Sequence, residues 1–311
     1  MSDALAQSSI TTMVPSQDIE PTHLTGLLIG PLVNFQCFSN EEKSKWLIDV
    51  AHDICDPAQK RGRLIVRRNQ DWQDVHATDP LIASTYHYVV GHISARIGKS
   101  RTDATGKAST MANRVKNQDG QKCWVTRRCP VTNNHVCPKR MGDHLLRVVY
   151  NTFVQTPPGP ALSIYDEICG ITLFRGLDIF FIKYEFGLRF VALVGNSCFL
   201  VLYSYSFINL ECHFFPPDDW PPEDRLTKFG FTEAPEDTPT GFPPLHRTRI
   251  TTPPLPDGHP PPGLIRWHYL QCVIQKFAHT DYRSLQHIYY SELDLPMEGD
   301  SDDEGTDSEF E

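Results

Sequence analysis

Within the stretch Cys123 to His144, CWVTRRCPVTNNHVCPKRMGDH, one histidine, His135, is flanked by short polar residues in the most basic part of the chain. An imidazole titrates near neutrality, so this position suits a general base. Arg127, Arg128, Lys139 and Arg140 surround it in sequence and would hold phosphate groups by charge. Asp143 and His144 follow closely enough to act as auxiliary metal ligands, although Asp143 equally suits the cap of the helical pattern that starts there. Zinc is a second reading of the same stretch, through Cys123, Cys129, His135, Cys137 and His144. Their spacing contains no CxxC knuckle, so structural zinc is not expected and reduced core or hairpin cysteines are.

The charge pattern points to a polyanionic partner. From Arg96 to Arg140 there are eleven Lys or Arg against two Asp, inside a protein whose formal net charge is −9. The balancing acid lies mainly in Glu292 to Glu311, with ten carboxylates and no basic residue. That tail, 291–311, has too few apolar side chains to offset ordering entropy and is expected to be disordered and solvated. The same expectation holds for the polar N-terminal stretch 1–21, where no targeting pattern is readable. Nine cysteines at irregular spacing fit a reducing intracellular compartment, nucleus or cytoplasm, better than a disulfide framework. The longest apolar run, Cys198 to Ile208, is too short to cross a bilayer, which needs roughly 20 residues, and reads as a buried strand. Its Ser, Tyr, Phe, Leu and Cys content also resembles translated pyrimidine-rich sequence, which makes about 193–209 a candidate retained intron.

The elements that must position these residues follow from periodicity and punctuation. Ser39 and Glu42 form a capping box for a helix over 39–53, with Trp46, Leu47, Val50, Ala51 and Ile54 on one face. Leu64–Val66 and Tyr86–Ile93 suit strands. Ser109 is placed to cap a short helix that Gly120 ends. From 123 to 193 the order reads strand, loop with histidine, helix (143–154), strand (168–174), helix (176–184), strand (186–193). Fourteen of the 25 prolines fall in 216–262, which marks a linker or extended wrap. Pro262 then suits the first turn of a docking helix, within 263–290, whose apolar stripe includes Leu264, Ile265, Leu270, Val273, Ile274 and Phe277. With 311 residues and 40% hydrophobic content, this amounts to an α+β domain over about 22–215, followed by the wrap, the helix and the tail.

Three pieces in order resemble the HNH nuclease-domain proteins abundant in fungal genomes, built on the ββα-metal fold. They are a helix ending RVKNQDGQKCWVT, the histidine motif NNHVCPK, and the closing segment ICGITLFRGLDIFFIKYEFGLRFV. The resemblance covers about Thr110 to Val191, with an HNH-like core at about 110–191. It implies that His135 takes a proton from water so that hydroxide attacks a phosphodiester. It also implies a divalent cation, usually Mg²⁺, bound through Asp178, which stands where the family has its second histidine. Cys169 stands where the family has the asparagine that braces the loop carrying the base, and Ile182 replaces the acidic residue that usually follows the metal ligand.

Two function classes follow. One is a metal-dependent endonuclease-like enzyme acting on nucleic acid, with DNA favoured over RNA. The other is a catalytically degenerate HNH fold that binds nucleic acid or protein through its basic face. Serine or cysteine hydrolase chemistry is not supported, since there is no GxSxG elbow, and GKSRTDATGK lacks the spacing of a phosphate loop.

Overall fold

A computed structural model describes residues 9–15, 24–39, 43–69, 71–89, 107–156, 162–195, 206–215, 246–251 and 259–280. The fold is mixed α+β, with six α-helices and three small sheets among those residues. Strands β1 (Ser9–Pro15) and β2 (Leu24–Pro31) pair antiparallel, and β2 leads directly into α1 (Leu32–Ser39). Helix α2 (Lys45–Cys55) is followed by β3 (Arg63–Arg68), β4 (Asp71–Asp74) and β5 (Ser84–Val89), which complete a five-stranded sheet in the order β2-β1-β5-β3-β4. Its one parallel pair is β1 with β5.

Helix α3 (Ala108–Gln118) then leads through an irregular turn to β6 (Val131–His135), α4 (Gly142–Phe153), β7 (Gly170–Phe174) and α5 (Arg175–Ile182). Strands β6 and β7 form a separate two-stranded antiparallel sheet, in which His135 stands opposite Gly170 and Asn134 opposite Ile171. Helices α3 and α5 both pack against this pair. Gly170 permits the approach of α3: a Cβ there would lie 2.6 Å from Met111 Cε and 2.9 Å from both Val115 Cγ2 and Asn133 Oδ1. Strands β8 (Phe186–Gly195), β9 (Ser206–Phe214) and β10 (Arg249–Thr251) make the third sheet.

The final helix, α6 (Pro262–Phe277), has Pro in its first turn and is buried along most of its length, because it packs against β8, α2, α4 and β2 together. It ties the N-terminal sheet to the rest: Trp46 Nε1 donates to Tyr269 Oη (2.7 Å), and the ring of Phe277 packs on Phe35, Phe38 and Trp46. Aromatic groups of this size each bury a large apolar area, so this seam carries much of the core's stabilisation.

Several expectations are corrected. The helix expected over 39–53 is two helices. Ser39 ends α1, with its hydroxyl donating to the Gln36 carbonyl, and α2 starts at Lys45 without a side-chain cap. Ser109 lies inside the first turn of α3, so it is not the cap. His135 is the last residue of a strand, not part of a loop, and the segment from Cys123 is a turn. Ser9–Pro15, expected to carry no element, is a strand that pairs antiparallel with β2 and parallel with β5. The α+β body does not stop at 215, since β10 and α6 belong to it. Of the 193–209 run, Leu193–Gly195 and Ser206–Asn209 are paired strand, and 196–205 lie outside the described residues. The acidic tail, most of the proline-rich stretch and Arg96–Gly106 lie outside them too. Among the described residues no helix is long and apolar enough to cross a membrane, and eight cysteines are unpaired.

Candidate functional site

Strand alternation divides β6 into two sets of side chains. Thr132 and Asn134 face α5 beside the half-buried carboxylate of Asp178, and the Thr132 hydroxyl donates to the Leu173 carbonyl at 3.3 Å. Burial raises the Asp178 pKa, while the polar side chains of Thr132 and Asn134 and nearby Arg175 oppose the rise. Asn134 is only 2% exposed, and its Nδ2 also reaches the backbone oxygen and hydroxyl of Thr132 at 3.4 Å. Its Oδ1 is buried with no hydrogen-bond partner. The amide N–H of Asn134 is the group that favours the ionised Asp178, while its oxygen points elsewhere. A divalent cation at Asp178 would find hard oxygen donors in its carboxylate, in the Thr132 hydroxyl and, with the amide turned, in Asn134, the kind of donor that Mg²⁺ prefers.

His135 follows Asn134 immediately, and its ring turns toward the loop that precedes β7, edge-on to Tyr165 with centroids 5.7 Å apart. The two candidate groups thus flank the end of β6 from opposite faces of the strand, Asp178 beside Thr132 and Asn134 and the His135 ring beside the loop that precedes β7. Burial, then the positive charge of Lys139, depress the His135 pKa to about 4, and a backbone contact from Ile164 opposes them. The ring is therefore neutral at physiological pH and able to accept a proton; its Nδ1 is buried without a partner.

The loop facing His135 is pinned from several directions. Asp143 Oδ1 accepts from Ile164 N (2.7 Å), Arg147 Nη2 donates to Leu162 O (3.3 Å), and Cys169 Sγ reaches Ser163 O (3.6 Å). Arg114 pairs with Glu167 at 3.3 Å. Cys169 also accepts from Val136 N through its carbonyl (2.8 Å), which continues the β6–β7 pairing past His135. Asp143, considered above as an auxiliary ligand, is buried and committed to this loop, whereas His144 is exposed on α4.

Of the basic residues, Lys139 is exposed in the short 3-10 turn Lys139–Met141 just beyond His135, with Arg140 next to it in that turn. Arg127 and Arg128 are exposed on the turn between α3 and β6. That turn is organised by Cys123, whose Sγ accepts from the backbone of Val125 and Thr126 (both 3.3 Å), while Cys129 Sγ donates to Gln121 O (3.1 Å). Both cysteines serve the turn, and no group of three or more His, Cys, Asp or Glu poised to hold a metal occurs among the described residues.

Sequence reasoning missed a second buried arrangement. Asp119, 4% exposed at the end of α3, accepts from Thr172 N (2.9 Å) and Thr172 Oγ1 (2.7 Å) through Oδ2, and lies 3.1 Å from His259 Nε2 through Oδ1. It locks α3 to β7 and to the chain entering α6. Asn134 and Thr132 were missed as well. The alternation of VTNNH would have placed them with Asp178 once the segment was recognised as a strand. A scan against protein-family models, a search of curated proteins and a search of solved structures each find no match to this chain.

Proposed function

We propose that the protein is a metal-dependent nuclease of the HNH type, with β6, β7 and α5 as its ββα-metal core. The observation that carries this reading is the half-buried Asp178 carboxylate set against Thr132 and Asn134 of β6, the strand that ends in a histidine whose ring stays neutral at physiological pH. Bound there, a magnesium ion would offset the charge that builds on the phosphate and on the leaving oxygen. His135 accepts a proton from water, and the resulting hydroxide attacks phosphorus as the bond to the leaving oxygen breaks. Lys139, with Arg127, Arg128 and Arg140, holds the flanking phosphates by charge, and DNA is the favoured substrate. The braced loop fixes the His135 ring, which matters because small misplacements of a base cost large factors in rate.

One observation favours a second reading, a fold that binds nucleic acid without cutting it. Ile182, one turn beyond Asp178 on α5, is 65% exposed and offers no ligand, so the cation would rely on Asp178, Asn134 and Thr132. Supercoiled plasmid incubated with wild type and His135→Ala in Mg²⁺ or Mn²⁺ separates the two. Nicking that disappears in the variant supports the nuclease. Binding by both proteins that weakens with salt, without nicking by either, supports the module.

A further inference from the structure

Strands β3 and β5 of the five-stranded sheet bury one face, with Leu64, Val66, Tyr86 and Tyr88 in the core, and β3 and β4 carry exposed side chains on the other. On the open face β3 presents Arg63, Ile65 and Arg67, β5 presents His87 opposite Ile65, and β4 presents Trp72 opposite Arg67. Trp72 is 49% exposed, yet its ring lies only 4.3 Å from that of His87, two strands away. To make that contact the indole must lie across β3, between Ile65 and Arg67, with its outer side toward solvent. Asp74, an acidic residue on this face, accepts from Arg63 Nη1 at both carboxylate oxygens, at 2.8 and 3.1 Å. The charge left over belongs to Arg67, which is exposed and makes no ion pair among the described residues. Burial lowers the His87 pKa, so its ring is a neutral aromatic at physiological pH.

We infer that this face is a stacking site for single-stranded nucleic acid, in which a base lies on the Trp72 indole and an adjoining phosphate is held by Arg67. A flat aromatic side chain beside a cation on an open sheet fits a base and its phosphate, because every base offers a π-face whatever its sequence. Charge complementarity favours this occupant over an apolar protein surface, which would leave Arg67 buried without a counter-charge. The strand that carries His87 also runs, in sequence, into the basic stretch that begins at Arg96. This inference reaches beyond the proposed cleavage site and does not depend on it.

The test is a fluorescence-anisotropy titration of the full chain against a labelled single strand of about 12 nucleotides, within the range one such platform spans, in EDTA so that nothing is cut. A duplex of the same sequence and a proline-rich peptide are titrated alongside. Trp72→Ala is expected to weaken single-strand binding by roughly 10-fold, within the range of one lost stack, while Trp72→Phe retains most of the affinity. Arg67→Ala is expected to flatten the salt dependence by about one phosphate contact. Single-strand affinity that Trp72→Ala leaves at the wild-type value, or no binding by wild type, overturns the inference. An equal loss on the duplex, whose bases are already stacked, also overturns it, as does a loss confined to the peptide. Because EDTA blocks cleavage, failure here leaves the nuclease reading untouched, and failure of cleavage leaves this result standing.

Discussion

Removing the Asp119 carboxylate should unfasten the scaffold behind the site. In the folded protein it accepts three hydrogen bonds, two from Thr172 and one from His259. The Thr172 hydroxyl has a second acceptor in the Lys122 carbonyl at 2.7 Å, so Asp119→Ala takes the Asp119 acceptor from two buried groups, the Thr172 N–H and His259 Nε2. At about 1–3 kcal/mol for each unsatisfied buried group, the variant should lose on the order of 4 kcal/mol. Asp119→Asn keeps one acceptor and should lose roughly half as much. Equilibrium unfolding in urea followed by tryptophan emission reads this directly, since Trp124 packs 5.4 Å from the His259 ring. With a slope near 3 kcal/mol per molar, the Asp119→Ala midpoint should fall by about 1 M or more. A loss below about 1 kcal/mol, or equal losses for the Ala and Asn variants, would refute the reasoning that these hydrogen bonds tie α3, β7 and the approach to α6.

Three further outcomes are expected. The acid limb of the pH profile of kcat/KM for cleavage should fall near pH 4, the value to which burial and Lys139 depress His135, and Lys139→Ala should move it upward; a limb at or above 6.5 contradicts the assigned environment. Burial raises Asp53 to about 6, and the positive charge of Arg266, 3.0 Å away but donating to the Pro57 carbonyl, offsets only part of that rise. A raised carboxylate pKa means the associated stability is present below the ordinary value near 3.8 and is lost as pH rises through 6, a change of about 3 kcal/mol, so Asp53→Asn should flatten the stability profile across that window and be at least as stable as wild type at pH 7. Gly170→Ala should cost about 1–3 kcal/mol in thermal or urea unfolding by driving a methyl group against Met111 and Val115, and a neutral result would mean that α3 sits farther from β7 than described.

The helices of the C-terminal two thirds were legible because their apolar periodicity is strong. The docking of α6 followed from Pro262 and its broad stripe, and the α5 and β8 boundaries fall within two residues of the expected ones. Strand β6 was not legible as a strand. VTNNH has one apolar residue, and its conformation is fixed by backbone pairing with β7, which lies some 40 positions away and leaves no local signature. The same gap hid Thr132 and Asn134, since their convergence on Asp178 requires the pleat. Asp178 itself came from the resemblance and not from its surroundings in sequence, where an acid in an otherwise apolar helix reads as a surface carboxylate. Ser39 and Glu42 misled because a capping pattern says where a helix can start, and here the buried rings of Phe35 and Phe38 hold Ser39 at the end of an earlier one.

The most direct measurement is anomalous diffraction from crystals grown with Mn²⁺ and a short DNA duplex carrying a non-hydrolysable phosphodiester, using His135→Ala as well as wild type. A manganese peak within coordination distance of Asp178 and Asn134, with the scissile phosphate between that ion and the position of the His135 ring, is the expected result. An ion bound elsewhere, or a phosphate that cannot reach the ion and residue 135 together, would contradict it.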